Sequence, residues 1–572
     1  MLVRHLPRKL WGKLLEQLRR LPGVATRERA HYAGIEAELL CVNVGQLPGL
    51  APAWLPLPPA PVIRQALAAG PGYRLIDPAT PSPADAAFLA RHGLKPELIS
   101  ANSGLIPKSY LPPERAERRR ERGLEPDPDR IAFQLEALEQ AAVEAVCPVT
   151  GRLRRAIHGL LAAPNQPIFY WLPADGDAPA MFIATGREGR GWIKLYLFLP
   201  TLGAALLLAD PMRWHGRDEI DELRAYLIAQ HRQLEPWLRR TDPPRPWVLV
   251  DNPQFAHHLW NALSGLQRLT ARADLSRTGI SVCAEPWGPI ADLFPELTDT
   301  PIEREPFPAP VQRSMTSHRL LIRVGGTRID TALIQRVRRV AAERVPRDLH
   351  AHAAALRERH RPILWATLRL ENRTWVSQVP GLIAIGRQLA RDYPNAALIL
   401  DGFSILFGQA AAPGAADRRL IARETEAAQA IIDALAGELV VLSLIGRPLF
   451  EAVVFAAIAD CYFAHQGSLQ HKIGWLGDCP GLVHGNRVVL TTPLLWEPAL
   501  TVRTPQIPVT YLDPALVRDV PGAKRVANNR WLDDLDNYDM DAADAYAALS
   551  PLLRRAAEGS RSAAETVPTE PQ

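Results

Sequence analysis

The segment ILWATLRL at residues 363–370 begins the pattern that decides the predicted fold. Its apolar run is followed by AALILDG (396–402), ELVVLSLI (438–445) and DCYFAHQG (460–467), with amphipathic stretches between these runs. Short apolar strands that alternate with helices favour a parallel sheet covered by helices on both faces. We therefore predict a Rossmann-like lobe over residues 360–540, with helices at 378–392, 418–436 and 448–459 and a helix start in 468–476.

A similar alternation precedes this block. From residue 167 the chain contains PIFYWLP, AMFIATG and GWIKLYLFLP, which are typical of strands because β-branched and aromatic residues are broken by Gly and Pro. The strand candidates WVLVD (247–251), GISVC (279–283) and RLLIRV (319–324) then alternate with helical stretches. The sequence thus predicts an α/β protein of two Rossmann-like lobes, the first over residues 165–350.

The ends of the chain are predicted to lie outside these lobes. We interpret residues 1–160 as an accessory region, in which PPERAERRRER (112–122) forms a charged, solvated helix. Residues 2–21 place leucines and Trp11 on one helical face and basic residues on the other. That pattern fits either an interfacial helix at a membrane or a helix docked on the protein itself. The polar segment 556–572 is predicted to be a disordered tail.

Charge and cysteine content restrict the functional class. The chain has 66 basic and 61 acidic residues, a net charge of +5, and residues 1–21 alone carry six basic residues against Glu16. The remainder is therefore near neutral, which disfavours a nucleic-acid partner. Five cysteines without a CxxC pair predict neither a disulfide framework nor a zinc site, and no apolar run reaches the ~18 residues of a membrane span. We expect a cytoplasmic protein, at the inner face of the membrane if residues 2–21 bind lipid.

One candidate functional segment begins with Asp251 at the end of a predicted strand. It continues as a helix through His257, His258 and Asn261. Ligands of doubly wound sheets bind at the carboxyl ends of the strands, so Asp251 and His257 are candidate proton acceptors. The alternative is that one of the two adjacent histidines packs in the core while the other is a surface residue.

A second candidate segment is the predicted strand exit HQGSLQHK at residues 465–472. A helix that begins near Ser468 offers backbone N–H groups and the positive end of its dipole to an anion. Gly467 permits close approach of a ligand, and Ser468 can both cap the helix and bind. The side chains of His465, Gln470 and Lys472 add polarity. A diphosphate is the expected ligand, and the alternative is an ordinary capped helix.

Other motifs are weak. Gly325-Gly326 follows a predicted strand but lacks the spacing of a phosphate-binding loop. The DxD-like triplets Asp127–Asp129 and Asp539–Asp541 lie outside the α/β blocks, so we interpret them as chance occurrences. We accordingly expect no metal.

Together the two segments resemble the family 61 glycosyltransferases and their GT-B relatives. Residues 255–266 (FAHHLWNALSGL) fall without a gap on the family's F-G-H-W-L-x-D/E-x-L-P-x-L motif, and the second-lobe motifs match Arg369 through Arg373, Glu451 and residues 465–469. The similarity covers roughly residues 245–490. His258 replaces the family's Trp, Asn261 and Ala262 stand where the family has an acidic residue, and the second-lobe His is shifted by one.

The resemblance implies an inverting, metal-independent glycosyltransferase. A nucleotide-sugar would bind the second lobe, and a glycan or envelope polysaccharide acceptor would bind the first. The implied catalytic residues are His257, the preferred base, with Asp251 and Asn261. The implied donor-binding residues are Arg369, Arg373, Glu451, His465, Gly467, Ser468, Gln470 and Lys472. No cofactor is expected, since the nucleotide-sugar is a substrate and the cationic side chains act in place of a metal.

Two alternatives to glycosyl transfer stay open. The missing acidic residue at 261–262 favours an inactive GT-B relative that binds a glycan or a partner protein at the membrane surface. The amphipathic start favours a membrane-surface scaffold whose function lies in residues 1–160.

Overall fold

The computed structural model describes residues 73–124, 127, 130–164, 166–186, 190–191, 193–208, 216–408, 414–492, 502–520 and 536–559. The predicted helix at 2–21 and most of the predicted tail (560–572) lie outside these described residues. The chain divides into two compact units. The first runs to Asp251 and includes Arg277–Val282 and Pro301–Val324, while the second comprises Asn252–Ser276, Cys283–Thr300 and the chain from Gly325 onward.

Strands and helices alternate along the described chain. The strands are β1 (Arg74–Ile76), β2 (Val143–Val146), β3 (Leu153–Ala156), β4 (Gly159–Leu160), β5 (Ile168–Leu172), β6 (Met181–Thr185), β7 (Lys194–Leu199), β8 (Ala204–Leu207), β9 (Arg245–Val250), β10 (Gly279–Val282), β11 (Ile302–Arg304), β12 (Arg319–Arg323), β13 (Ile329–Asp330), β14 (Ile363–Thr367), β15 (Ala397–Asp401), β16 (Val440–Ser443), β17 (Cys461–His465), β18 (Gly481–His484), β19 (Arg503–Thr504), β20 (Val509–Tyr511), β21 (Val517–Val520) and β22 (Asn537–Met540).

The helices, in the same order, are α1 (Pro83–Arg91), α2 (Pro96–Ser100), α3 (Pro113–Glu121), α4 (Ala132–Gln140), α5 (Gly216–Leu238), α6 (Phe255–His257), α7 (Ser264–Arg272), α8 (Ile290–Leu293), α9 (Ala309–Thr316), α10 (Thr331–Arg344), α11 (Arg347–Arg359), α12 (Gln378–Asp392), α13 (Ala415–Ala434), α14 (Leu449–Ala456), α15 (Ser468–Leu476), α16 (Arg487–Thr491) and α17 (Ala542–Ala557). A π-helical turn, His258–Leu263, joins α6 to α7. Helix α17 includes residues 556 and 557, where the sequence predicts the disordered tail to begin.

A six-stranded parallel sheet forms the centre of the second unit. Its strand order is β16-β15-β14-β17-β18-β20, and each neighbouring pair is parallel. On β14, Leu364 belongs to a cluster with α12, α13 and α17, whereas Trp365 belongs to a cluster with α11, α14 and α15. Helices therefore cover both faces of the sheet, because successive side chains of a strand point to opposite faces. The parallel α/β block predicted from residue 363 onward is confirmed.

The first unit contains a second parallel sheet, but it is small. Its order is β11-β10-β9-β12, and all its pairs are parallel. The apolar runs near 247, 279 and 319 do form these strands, as the sequence predicts.

The prediction that residues 168–207 belong to a Rossmann-like lobe is wrong. Strands β5 to β8 form an antiparallel meander within a six-stranded sheet of order β1-β8-β7-β6-β5-β4, in which only the β1–β8 pair is parallel. The connections 173–180, 186–193 and 200–203 are shorter than the dozen or so residues of a parallel crossover, so successive strands must return antiparallel. Helix α5 covers one face of this sheet, where Leu223 and Leu227 pack with Phe182 and Phe198.

Residues 73–160 are not a separate accessory region. They belong to the first unit, to whose six-stranded sheet they contribute β1 and β4. The charged helix α3 is also not simply solvated: Arg119 is buried, donates to both Glu136 carboxylate oxygens at 2.6 and 2.7 Å and donates to the Ile106 carbonyl at 2.6 Å. A buried guanidinium requires such partners, since an unpaired charge is costly away from water.

The boundary between the units also differs from the predicted one. Helices α10 and α11 belong to the second unit, and so does the segment Asn252–Ser276, although the sequence places them in or beside the lobe over 165–350. The segment that carries His257 and Asn261 is thus part of the same compact unit as Arg369, Arg373 and α15.

Candidate functional site

The candidate site lies at the carboxyl edge of the parallel sheet in the second unit. Strand β17 ends at His465, and α15 begins three residues later at Ser468. Gly467 joins them with φ of 110° and ψ of −147°, a backbone conformation that only glycine adopts readily. The first backbone N–H groups of a helix have no partners within it, so this end of α15 can bind an anion.

Two arginines converge on the same point. A Cβ atom built on Gly467 would lie 3.3 Å from Arg373 Nη1 and 3.4 Å from Arg369 Nη1. Arg369 donates to the Gln466 carbonyl at 3.2 Å and to Asn372 Oδ1 at 2.6 Å, and Arg373 donates to Gln466 Oε1 at 3.0 Å. These acceptors are neutral oxygens, and they orient both guanidinium groups beside Gly467.

The backbone around these arginines is held in place. Gln378 at the start of α12 accepts from the Arg369 N–H at 3.1 Å and donates to the Arg369 carbonyl at 2.9 Å. Arg373 itself has a positive φ of 49°, which an L residue adopts only at a cost. Burial, and then the charge of Arg373, lowers the pKa of Arg369 to about 10. A bound anion would relieve this electrostatic penalty.

Three of the predicted donor-binding residues, Lys472, Gln470 and His465, are buried in the interior. Lys472 is buried and donates to Asp401 Oδ1 at 2.6 Å, Ser404 Oγ at 2.7 Å and the Gly402 carbonyl at 3.1 Å. All three ammonium donors are therefore used. Gln470 is fully buried, 3.5 Å from the Tyr462 hydroxyl.

His465 is the third of these buried residues. Its Nδ1 lies 2.9 Å from Thr367 Oγ1, and its ring packs against His484 with centroids 4.4 Å apart. Burial, followed by the proximity of His484 and Arg369, lowers the pKa of His465 well below its usual value. His465 is thus a buried neutral residue within electrostatic range of Arg369, rather than a cationic ligand.

Glu451 and Ser468 have different positions. Glu451 lies in the first turn of α14, and its carboxylate pairs with Arg447, just before that helix, at 3.2 Å. Ser468 is half-buried at the first position of α15, directly after Gly467. It remains a candidate ligand.

Asp251 is not placed as a base. It is buried in the first unit, where both its carboxylate oxygens accept from the equally buried Arg323 at 2.8 and 2.5 Å. Arg323 also donates to the carbonyls of Gln166 and Gly186, each at 2.6 Å. The Asp251 carboxylate therefore neutralises a structural arginine, which the sequence pattern at a strand end does not reveal.

His257 and Asn261 are adjacent in the second unit. His257 is half-buried, and its Nδ1 lies 2.9 Å from Asn261 Oδ1. The Asn261 Nδ2 donates to the Gly326 carbonyl at 3.1 Å, and the Gly326 N–H donates to the Asn261 carbonyl at 2.8 Å. His258, by contrast, is fully buried, and burial lowers its pKa to about 3. His258 therefore packs in the core, as the alternative interpretation states. His257 is half-buried rather than a surface residue, and its contact with Asn261 orients its ring.

An aromatic series connects the helical segment of His257 to α15, against which α6 packs. The His257 ring stacks with Trp260 at 5.7 Å, Trp260 meets Trp475 at 6.0 Å, and Trp475 stacks with His471 at 4.1 Å. Burial lowers the pKa of His471 to about 3, with smaller contributions from His257 and Arg373. His257 and Arg373 therefore both lie within electrostatic range of His471 in the first turn of α15.

Sequence reasoning missed His471, Gln466 and Gly326. The Gly325-Gly326 pair was visible, but its function is packing: a Cβ on Gly326 would lie 2.4 Å from Ser264 Oγ and 2.6 Å from the Gly265 nitrogen. No side chain larger than hydrogen fits there, and this close approach brings the Gly326 carbonyl to Asn261.

The described residues contain neither a candidate metal site nor a candidate membrane-spanning helix. In that part of the chain, no group of three or more His, Cys, Asp or Glu side chains is placed to hold a metal ion. No helix within the described ranges has the length and apolarity to cross a bilayer.

The fold and site together define an α/β protein with a cationic, glycine-lined helix N-terminus at the edge of a parallel sheet. The chain matches no protein-family model and no curated protein. It resembles a family 9 glycosyltransferase from Veillonella parvula at 9% identity and a TM-score of 0.31, over 55% of this chain and 99% of that one. It also resembles HepE of Anabaena, solved with UDP-glucose, at 14% identity and a TM-score of 0.23, over 42% of this chain and 80% of that one. At these identities and TM-scores, neither likeness assigns a function to this chain.

Proposed function

We propose that this protein is a glycosyltransferase that binds the diphosphate of a nucleotide-sugar at the N-terminus of α15. The observation that carries the proposal is the convergence of Arg369 and Arg373 on Gly467, at 3.4 and 3.3 Å from its Cβ position. Two guanidinium groups and a helix N-terminus match the charge and the hydrogen-bond geometry of a diphosphate.

The proposed chemistry is a single displacement. The imidazole of His257 accepts the proton of an acceptor hydroxyl, and that oxygen forms a bond to the anomeric carbon. The bond from this carbon to the diphosphate oxygen breaks, and the nucleoside diphosphate leaves with the electron pair. Arg369, Arg373 and the first turn of α15 stabilise the charge that develops on the leaving group. Inversion, independence of metal, a polysaccharide acceptor and kinship with family 61 are parts of this proposal.

A second candidate function is a binding protein that holds a nucleotide-sugar without turnover. The observation that favours it is the neutral Asn261 beside His257, at the position where family 61 has an acidic residue. Both candidates require the diphosphate site, and only the first requires His257 as a base.

Calorimetric titration of the full chain with nucleoside diphosphates and nucleotide-sugars, without and then with Mg²⁺, tests the shared site. We expect one nucleotide to bind and Arg373→Ala to weaken it, while Arg391→Ala, an exposed arginine on α12, leaves affinity unchanged. Failure of all nucleotides to bind the folded protein would refute both candidates. If a nucleotide-sugar binds, its turnover by the wild type and loss of turnover in His257→Ala separate the enzyme from the binding protein.

A further inference from the structure

Two hydrogen bonds join Asn261 to Gly326: one fixes the Asn261 backbone beside Gly326, and the other orients the Asn261 side-chain amide. The Gly326 N–H donates to the Asn261 carbonyl at 2.8 Å, and the Asn261 Nδ2 donates to the Gly326 carbonyl at 3.1 Å. A flipped amide would direct Oδ1 at the Gly326 carbonyl, and two acceptors would then face each other. The loop is held further by the Trp260 Nε1–H, which donates to the Thr327 carbonyl at 3.0 Å.

This orientation presents an acceptor to His257. Oδ1 of Asn261 has no hydrogen to donate, and it lies 2.9 Å from His257 Nδ1. In the neutral ring the proton must therefore reside on Nδ1, and the lone pair that can accept a proton is on Nε2.

We infer that Asn261 is a positioning residue that fixes His257 in its Nδ1–H tautomer and so makes Nε2 the basic atom. The catalytic consequence rests on the proposed function, but the tautomer does not. The geometry also explains why position 261 is an amide rather than a carboxylate. The Gly326 carbonyl requires a donor, which an ionised Asp does not provide, whereas Asn serves as acceptor to His257 and donor to Gly326.

The absence of a side chain at Gly326 also helps to orient the Asn261 amide. A Cβ there would lie 2.4 Å from Ser264 Oγ and 2.6 Å from the Gly265 nitrogen, so any side chain would push the loop from the helix. The Gly326 carbonyl would then move away from Asn261, and the amide would lose the contact that fixes its orientation.

The test is a ¹⁵N NMR measurement of the His257 ring in the full chain labelled at histidine, with its signals assigned by loss in His257→Gln. We expect a protonated Nδ1 and an unprotonated Nε2 at neutral pH in the wild type. Asn261→Leu, which has similar size but no acceptor, is expected to lose this tautomer preference. Asn261→Asp should retain it, because a carboxylate still accepts from Nδ1. A thermal unfolding profile for each variant verifies that it is folded.

A wild-type ring protonated on Nε2 would overturn the inference, as would a folded Asn261→Leu that keeps the wild-type tautomer. If His257 is also the base, Asn261→Leu should lower kcat about 100-fold, within the range of general-base effects, and leave donor affinity unchanged. An intact tautomer effect without any turnover would refute the proposed function and leave the inference standing.

Discussion

Replacement of Arg369 by Met tests whether the Arg369 guanidinium binds the diphosphate or stabilises the fold. The guanidinium is held by neutral oxygens of Gln466 and Asn372, and burial together with Arg373 lowers its pKa to about 10. Loss of this charge should therefore leave the melting temperature of the ligand-free protein unchanged or slightly higher. A hydrogen bond from an ionised group contributes about 1.5–3 kcal/mol, so the Kd for the diphosphate should rise about 10- to 150-fold.

The assay pairs calorimetric titration of the nucleotide with thermal unfolding of the same ligand-free samples. Arg391→Met is the matched control, since Arg391 is exposed on α12 and donates to the Gln388 side chain. It should change neither quantity. A melting temperature several degrees lower in Arg369→Met, combined with an unchanged Kd, would show that Arg369 serves the fold and would refute the reasoning.

Three further predictions follow from individual contacts. Gly467→Ala forces a φ of 110° on an L residue and should cost about 1–3 kcal/mol in urea unfolding, with more than tenfold weaker diphosphate binding; an unchanged affinity would place the anion elsewhere. Lys472→Met leaves the buried Asp401 carboxylate without its partner and should lower the free energy of unfolding by about 3–5 kcal/mol. The double variant Lys472→Met with Asp401→Leu should recover much of this stability. If it recovers none, the loss does not arise from the broken ion pair. Burial raises the pKa of Glu424 from 4.5 to about 7, so the folded state favours its protonated form. The free energy of unfolding should therefore decline as pH rises from about 4.5 through 7. Glu424→Gln should flatten this decline, and a variant with the wild-type pH profile would contradict the assignment.

The sequence predicts four of the six strands of the parallel sheet in the second unit, β14 to β17, because that information is local. Each of these four is a short apolar run with turn residues after it, and amphipathic helices separate the runs. Strands β18 and β20 of the same sheet were not predicted. Gly467 and Ser468 are found for the same reason, since a strand end followed by Gly and a helix start is visible in neighbouring residues. Arg369 and Arg373 were found only through the family resemblance.

The side chains of α15 show where such reasoning stops. Most of this helix is buried, including Gln470 and Lys472, so no solvent-facing side distinguishes a ligand from a core residue. Periodicity reports a contrast between an apolar and a polar face, and a helix that is covered nearly all round has none. The Lys472 side chain is buried because it pairs with Asp401, which lies 71 residues earlier in the chain.

The antiparallel meander of the first unit was determined by the sequence, although composition alone did not disclose it. Its connections are too short for crossovers, and that length fixes the direction of each strand. By contrast, the Asp251–Arg323 pair and the contact of Gly326 with Asn261 join residues 72 and 65 positions apart. Local propensity and connection lengths thus determine which elements form and how neighbouring strands run. Only tertiary packing decides which distant polar groups meet, because each buried charge or amide must find its partner within the folded interior.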